Sequence, residues 1–443
     1  MIAALRRERL DPLLGWFLVT TLLCCVRSRD LPGLNVSAGG TSVTVTPTDA
    51  AVAILAVSCA VVIVRRDGLH REALRVLLPA AAFAAWLLAT AAVNGAGAFV
   101  AGTKFVEVAV LAVAAVLLFG HGRPLLPLLA TLVALNVAAD AYGIRQFLPH
   151  PSARHPSFLG EHDFAALSTM TLTVWFAYTF AGTGRARRLA FATGVVGAIG
   201  VILGAALASL IGVYLALAAV VATSLVRGQF RWKALAAGGV ASLLITGAVL
   251  EIRQNNLGFL QAWFGGNNQA QTSKPQPGAW SQRLIFAYMG GRIFLAHPVF
   301  GTGWYPELPP KDYLRFLPDT QRKFPDQPPN YFPQPDGTFI PQMTYDQVLY
   351  ELGLVGAALF VLMFGAGIRA SVLAGRAPPD PSAPLDAYLA PAWTASLIGV
   401  LAGAALFGGI AVAAVFWLTL GAAAALAGGP STRRGDAAPR PAS

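Results

Sequence analysis

Residues 189–226 read LAFATGVVGAIGVILGAALASLIGVYLALAAVVATSLV, thirty-eight positions without one Asp, Glu, Lys or Arg. As a single helix rising about 1.5 Å per residue, this run would be about 57 Å long, nearly twice the roughly 30 Å of a bilayer's hydrocarbon core. It is therefore two membrane spans, and Ala206 to Ser209 is where the chain is expected to turn back.

The same pattern recurs along the chain. Of 443 residues 56% are hydrophobic and 12% charged, with a mean hydropathy of +0.60. Such a composition excludes a water-soluble globule. Apolar runs of spanning length begin near Asp11, Asp49, Leu74, Ala98, Leu125, Asp163, Leu189, Ser209, Lys233, Leu352, Tyr388 and Gly409. Gly408-Gly409 separates the last two. The expected fold class is all-α: a polytopic integral membrane helical bundle of about 12 transmembrane helices, with one large extracytoplasmic loop before the last three. Residues 1–250 would form a membrane bundle of about nine spans, 251–343 the loop, 344–429 the final three spans, and 430–443 a disordered cytoplasmic tail.

A formal charge of +11 could suggest nucleic acid as a partner, but the basic residues cluster in short loops instead of along one stripe, so none is expected. They act as orientation signals. Placing Arg6, Arg7 and Arg9 in the cytoplasm puts Arg65, Arg66, Arg71 and Arg75, Arg185, Arg187 and Arg188, Arg227, Arg231 and Lys233, Arg369, Arg376, Arg433 and Arg434 there too. Both termini are then cytoplasmic, and the long loop lies outside with the connections Arg27–Thr48 and Arg145–His162. The first span is expected to be retained, because Cys25-Val26-Arg27 is a poor cleavage site. Cys24, Cys25 and Cys59 lie at or within spans, so no disulfide framework follows.

Ionisable residues inside spans are costly and therefore informative. Lys104 and Glu107 lie three apart on one helix face, which suits either mutual neutralisation or a role in a cavity. Asp140 has no good partner on its own helix, which makes a cross-helix partner such as Lys104 the expectation. Arg154 to Phe164 concentrates cationic, carboxylate and imidazole groups at the start of one span, with Asp163 a candidate cap and His162 a candidate proton-transfer group.

In the long loop, Trp280 to His297 reads as an apolar helix capped by Ser281 and stopped by Pro298, lying on the membrane or over a cavity mouth. Arg283 and Arg292 are nine positions apart, hence on opposite faces unless Gly290-Gly291 breaks the helix, and Arg283 is the one expected to face a ligand. Tyr305 to Pro341, rich in proline and aromatics, suits an irregular flap better than a packed domain.

The order Arg283, then His297-Pro298-Val299-Phe300-Gly301-Thr302-Gly303, then Tyr345-Asp346-Gln347-Val348-Leu349-Tyr350-Glu351-Leu352-Gly353-Leu354-Val355-Gly356 resembles the O-antigen ligase and polymerase family of bacterial envelope glycan assembly. The resemblance implies transfer of a glycan from undecaprenyl pyrophosphate to an acceptor sugar, in an inverting, metal-independent reaction at the outer face of the bacterial cytoplasmic membrane. Its partners would be the lipid-linked oligosaccharide donor, the glycan acceptor and membrane lipids. Charge grows on the departing pyrophosphate, where arginine's planar fork is suited to phosphate oxygens. By resemblance Arg283 and Arg154 are the principal candidates, with Arg145 and Arg292 as lesser ones; Lys104 and His162, from their place in and beside the spans, are further candidates for substrate binding.

Two positions depart from the family. Gln342-Met343 stand where ligases carry a His-Asn type pair, and Ser209-Leu210 where many members have Ser-Arg. Either Gln342 only orients the acceptor hydroxyl, or Asp346, Glu351, Glu161 or His162 activates it, or ligase activity has been lost. No phosphate-binding glycine loop, zinc spacing or aspartate-rich motif occurs, so no cofactor or metal is expected. A transporter of an anion or lipid-linked glycan is the competing reading. It would commonly show repeated halves, and none is visible.

Overall fold

The computed structural model describes residues 11–26, 31–38, 41–65, 69–151, 154–182, 186–253, 280–305, 307–335, 337, 339, 343–377, 383–404 and 410–428. Gln342, the turn at Gly408-Gly409, the stretch 254–279 and the proposed tail lie outside the described residues.

The chain is overwhelmingly helical. The bundle begins with α1 Pro12–Cys24, α2 Pro47–Arg65, α3 Arg71–Val93, then α4 Ala96–Glu107 and α5 Val110–Phe119, one apolar run interrupted at Val108-Ala109. It continues with α6 Leu126–Phe147, α7 Glu161–Ala181, α8 Arg187–Gly204, α9 Leu207–Val226 and α10 Trp232–Ile252. The loop contributes α11 Trp280–Ala296, α12 Pro310–Tyr313 and α13 Leu317–Lys323, and the chain returns through α14 Thr344–Arg376, α15 Asp386–Leu401 and α16 Ile410–Ala427. Counting α4 and α5 together, nine helices among the described residues are long and apolar enough to cross a membrane, while α1 and α16 are apolar but shorter.

The outward faces are apolar too: Val64 is 80% exposed and Leu244 70%. Water would reject such a surface, and hydrocarbon would not. One element departs from the all-α expectation. Between α1 and α2 an antiparallel hairpin pairs β1 Leu34–Ala38 with β2 Thr41–Val45, Leu34 opposite Val45. Its β-branched residues, Val36, Thr41, Val43, Thr44 and Val45, favour extended backbone.

Cross-helix bonds identify the two ends of the bundle. At one, Arg227 after α9 donates to the carbonyls of Gly375 (3.1 Å) and Ala377 (2.7 Å), and Arg369 of α14 pairs with Glu72 of α3 at 2.7 Å. Arg65, Arg71, Arg75, Arg187, Arg231 and Arg376 belong to helix ends on this side by up-and-down alternation. The opposite end collects the start of α7, the end of α8, the start of α9, the end of α10, the start of α14 and the end of α15.

Over its described residues, the stretch 305–341 is packed and is not an irregular flap. Ile285, Phe286, Met289 and Ile293 of α11 share a buried cluster with Leu308, Tyr313, Leu317, Tyr331, Phe332, Phe339 and Tyr350. Tyr313 donates to the carbonyls of Gln334 (2.6 Å) and Gly337 (2.7 Å). Apolar rings packed on one face of α11 make a small core out of a proline-rich segment.

Candidate functional site

The family-like segments touch each other, and their glycines explain how. Within α14, Gly353 has φ 64° and ψ −165°, which breaks the helix and frees the carbonyls before it. Thr302 N donates to Tyr350 O (3.0 Å), Gly303 N to Glu351 O (2.9 Å), and Trp86 Nε1 of α3 to Leu352 O (3.1 Å). Beyond the break, Leu354 N donates to Pro298 O at 2.8 Å. A Cβ on Gly301 would lie 2.2 Å from the Glu351 oxygen, and one on Gly353 2.3 Å from the Val299 oxygen. Asn94, capping α3, donates to the carbonyls of Thr302 and Trp304, both at 3.2 Å. The motif is thus a latch that fastens the end of α11 to the bundle through backbone pairing only glycine permits.

That latch sets where α11 lies, and α11 delivers Arg283 to the far end of the bundle, where Arg283 donates to Gly403 O at 3.0 Å. Two more guanidinium groups meet it there. Arg154, from the α6–α7 connection, donates through Nε to Gly204 O (3.2 Å) and pairs with Glu161 of α7. Arg253 follows the last turn of α10. Between them the chain turns from α8 into α9 through Ala205 (φ 43°) and Ala206 in extended conformation. The two helices diverge from this apex with α7 wedged between them.

The turn falls at the near edge of the expected stretch, and it presents the first amides of α9 to the same space, where the helix dipole adds positive potential. Arg154, Arg253, Arg283, His162, Leu207 and Gly403 are among the residues lining this pocket, whose free space is about 20 Å³, room for about one water.

The electrostatics are lopsided. Burial pulls the Arg253 guanidinium from its ordinary value down to about 10, with Arg154 and Arg283 repelling it and Glu161 opposing the shift. Burial lowers Arg283 as well, reinforced by Arg154 and countered by Asp346. Arg154 is lowered by burial and held up by Glu161. All three remain charged near neutrality, and among the described residues Glu161 and Asp346 are the carboxylates acting on them.

The other expected site residues are elsewhere. Arg292 pairs with Asp319 at 3.0 Å on the outer face of α11, which runs unbroken through Gly290-Gly291 and so keeps Arg283 and Arg292 apart. Arg145 is exposed in the last turn of α6. Lys104 pairs with Asp49 of α2 and lies 3.9 Å from Glu107. Asp140 takes its hydrogen bond from Asn136 Nδ2 of its own helix (3.1 Å) rather than from Lys104. Glu351 is fully buried and accepts from Gln347 Nε2 at 3.1 Å, outside the pocket lining.

Asp346 acts electrostatically on Arg283, and one buried oxygen of its carboxylate has no hydrogen-bond partner among the described residues. Ser209 and Leu210 are buried in the first turn of α9. Arg253 is the pocket residue that sequence reasoning passed over. Its signal was an arginine at a span end that should be poor in positive charge. Among the described residues no group of three or more His, Cys, Asp or Glu could hold a metal ion.

Fold and site define a class: an all-α, multi-pass membrane protein that gathers three arginines from two connections and a loop helix around one small pocket. No protein-family model matches the chain, and no curated protein matches it significantly.

Proposed function

We propose that this protein is a membrane glycosyltransferase of the O-antigen ligase and polymerase type, transferring a glycan from polyprenyl pyrophosphate to an acceptor sugar at the outer face of the bacterial cytoplasmic membrane. The observation that carries the reading is the convergence of Arg154, Arg253 and Arg283 with the amino-terminal end of α9 on one pocket. Preorganised donors at a developing diphosphate charge are what loss of that leaving group requires. In the resting pocket Glu161 neutralises Arg154. A bound diphosphate takes over that role, and the space opens to admit it.

His162 lines the same pocket, where burial and the three guanidinium groups oppose its protonation; once the diphosphate offsets those charges, its imidazole takes the acceptor's proton. The new bond joins the acceptor oxygen to the anomeric carbon, the hydroxyl proton passes to His162, and the diphosphate leaves with the bonding electrons. The basic end of the bundle is cytoplasmic, the arginine pocket opens on the outer side, and twelve spans alternate between the two. Both termini then lie in the cytoplasm.

Arg283→Ala is expected to leave the protein in the membrane and to raise the barrier to transfer by about 2.7 to 4 kcal/mol. Glycan transfer at the wild-type rate in that variant contradicts the proposal.

A further inference from the structure

A second cavity lies at the opposite end of the same helices. Near the arginine pocket α9 and α15 touch backbone to backbone, and a Cβ on Gly399 would sit 2.3 Å from the Gly212 nitrogen. Toward the Arg227 end they part. Pro391 interrupts the hydrogen bonding of α15, and small α9 residues such as Ala222 leave an apolar crevice of about 280 Å³ closed on its third side by α14. Thr394, 3% exposed, belongs to its lining, and its buried hydroxyl has no hydrogen-bond partner among the described residues. Arg376, in the last turn of α14, is the charged residue in the lining.

We infer that this crevice seats an acyl chain of an anionic phospholipid, with the lipid phosphate against Arg376. Ile368 and Val372, exposed on the α14 wall at 38% and 42%, open the crevice toward hydrocarbon, and its volume suits a single chain, not a helix about 10 Å across. The charge of the occupant follows from its surroundings. The crevice ends beside Arg376 and the Arg227 guanidinium, which donates to the carbonyls of Gly375 and Ala377, so an anionic headgroup is favoured over a zwitterionic one. The lipid would brace α9, α14 and α15 at the ends remote from the arginine pocket, and it does not depend on the reaction assigned to that pocket.

The test is native mass spectrometry of the full chain released from nanodiscs containing equal amounts of phosphatidylglycerol and phosphatidylcholine. Wild type is expected to retain phosphatidylglycerol. Arg376→Ala is expected to weaken that preference about fivefold, while Ala222→Phe and Ala395→Phe, which fill the crevice, release the lipid. Melting in each lipid verifies that the variants are folded. Equal retention of both lipids by wild type overturns the inference. So does phosphatidylglycerol held undiminished by both filled variants, or a polyprenyl phosphate or second copy of the chain found in its place.

Discussion

Three guanidinium groups share one small space at the apex between α8 and α9, and their mutual repulsion is what a bound diphosphate would relieve. Arg253→Ala is expected to slow transfer about 10²- to 10³-fold, and Arg253→Lys to recover only part, because an ammonium lacks the planar fork. Radiolabelled glycan transfer in membranes measures both, and wild-type rates in Arg253→Ala would remove Arg253 from the site. His162→Gln is expected to lower turnover about 10²- to 10⁴-fold while donor binding survives. Donor affinity and turnover falling together would make His162 a phosphate ligand instead.

At this scale much of the pocket was legible. Arg154, His162 and Arg283 are visible as polar groups beside apolar runs, and all three line it. Lys104 and Arg292 could not be separated from them by sequence, because their carboxylate partners Asp49 and Asp319 lie 55 and 27 positions away along the chain.

Among the elements, the latch between Pro298–Gly303 and the kink in α14 combines close backbone contact with left-handed glycines. Gly353→Ala puts a side chain on left-handed backbone and against the Val299 carbonyl, so it is expected to cost at least about 1–3 kcal/mol. A lowered melting temperature in detergent measures this, and an unchanged one would mean the latch yields cheaply. The glycines were readable in the sequence. Their role was not, since backbone pairing between segments some fifty positions apart leaves no side-chain signature.

The connection before α7 is held similarly: His155 N donates to Leu203 O at 3.0 Å, and the ring Nε2 lies 2.9 Å from His150 O. Burial holds the His155 imidazole below its ordinary value of 6.5. The unfolded state therefore binds the proton first, so His155 adds stability above the unfolded value and loses it as pH falls toward the folded one. Between about pH 7.5 and about pH 5.5, wild type is expected to lose more thermal stability than His155→Gln. Equal losses would assign the acid sensitivity elsewhere.

For the whole molecule, apolar run length sufficed to find the nine helices of spanning length among the described residues. The small core of the long loop escaped. Phe286, Tyr313, Phe339 and Tyr350 follow neither a helical nor a strand period, and only folding brings their rings together. The same fold sets the arginine pocket and the apolar crevice at opposite ends of α9, α14 and α15, so catalysis and lipid binding should fail independently in variants.

The most direct measurement places purified protein in liposomes with a labelled polyprenyl-pyrophosphate glycan and an acceptor sugar. Wild type should yield a new glycosidic product and release polyprenyl pyrophosphate, while Arg154→Ala, Arg253→Ala and Arg283→Ala should each yield little or none. Movement of intact donor across the bilayer without product, or product undiminished in all three variants, would contradict it.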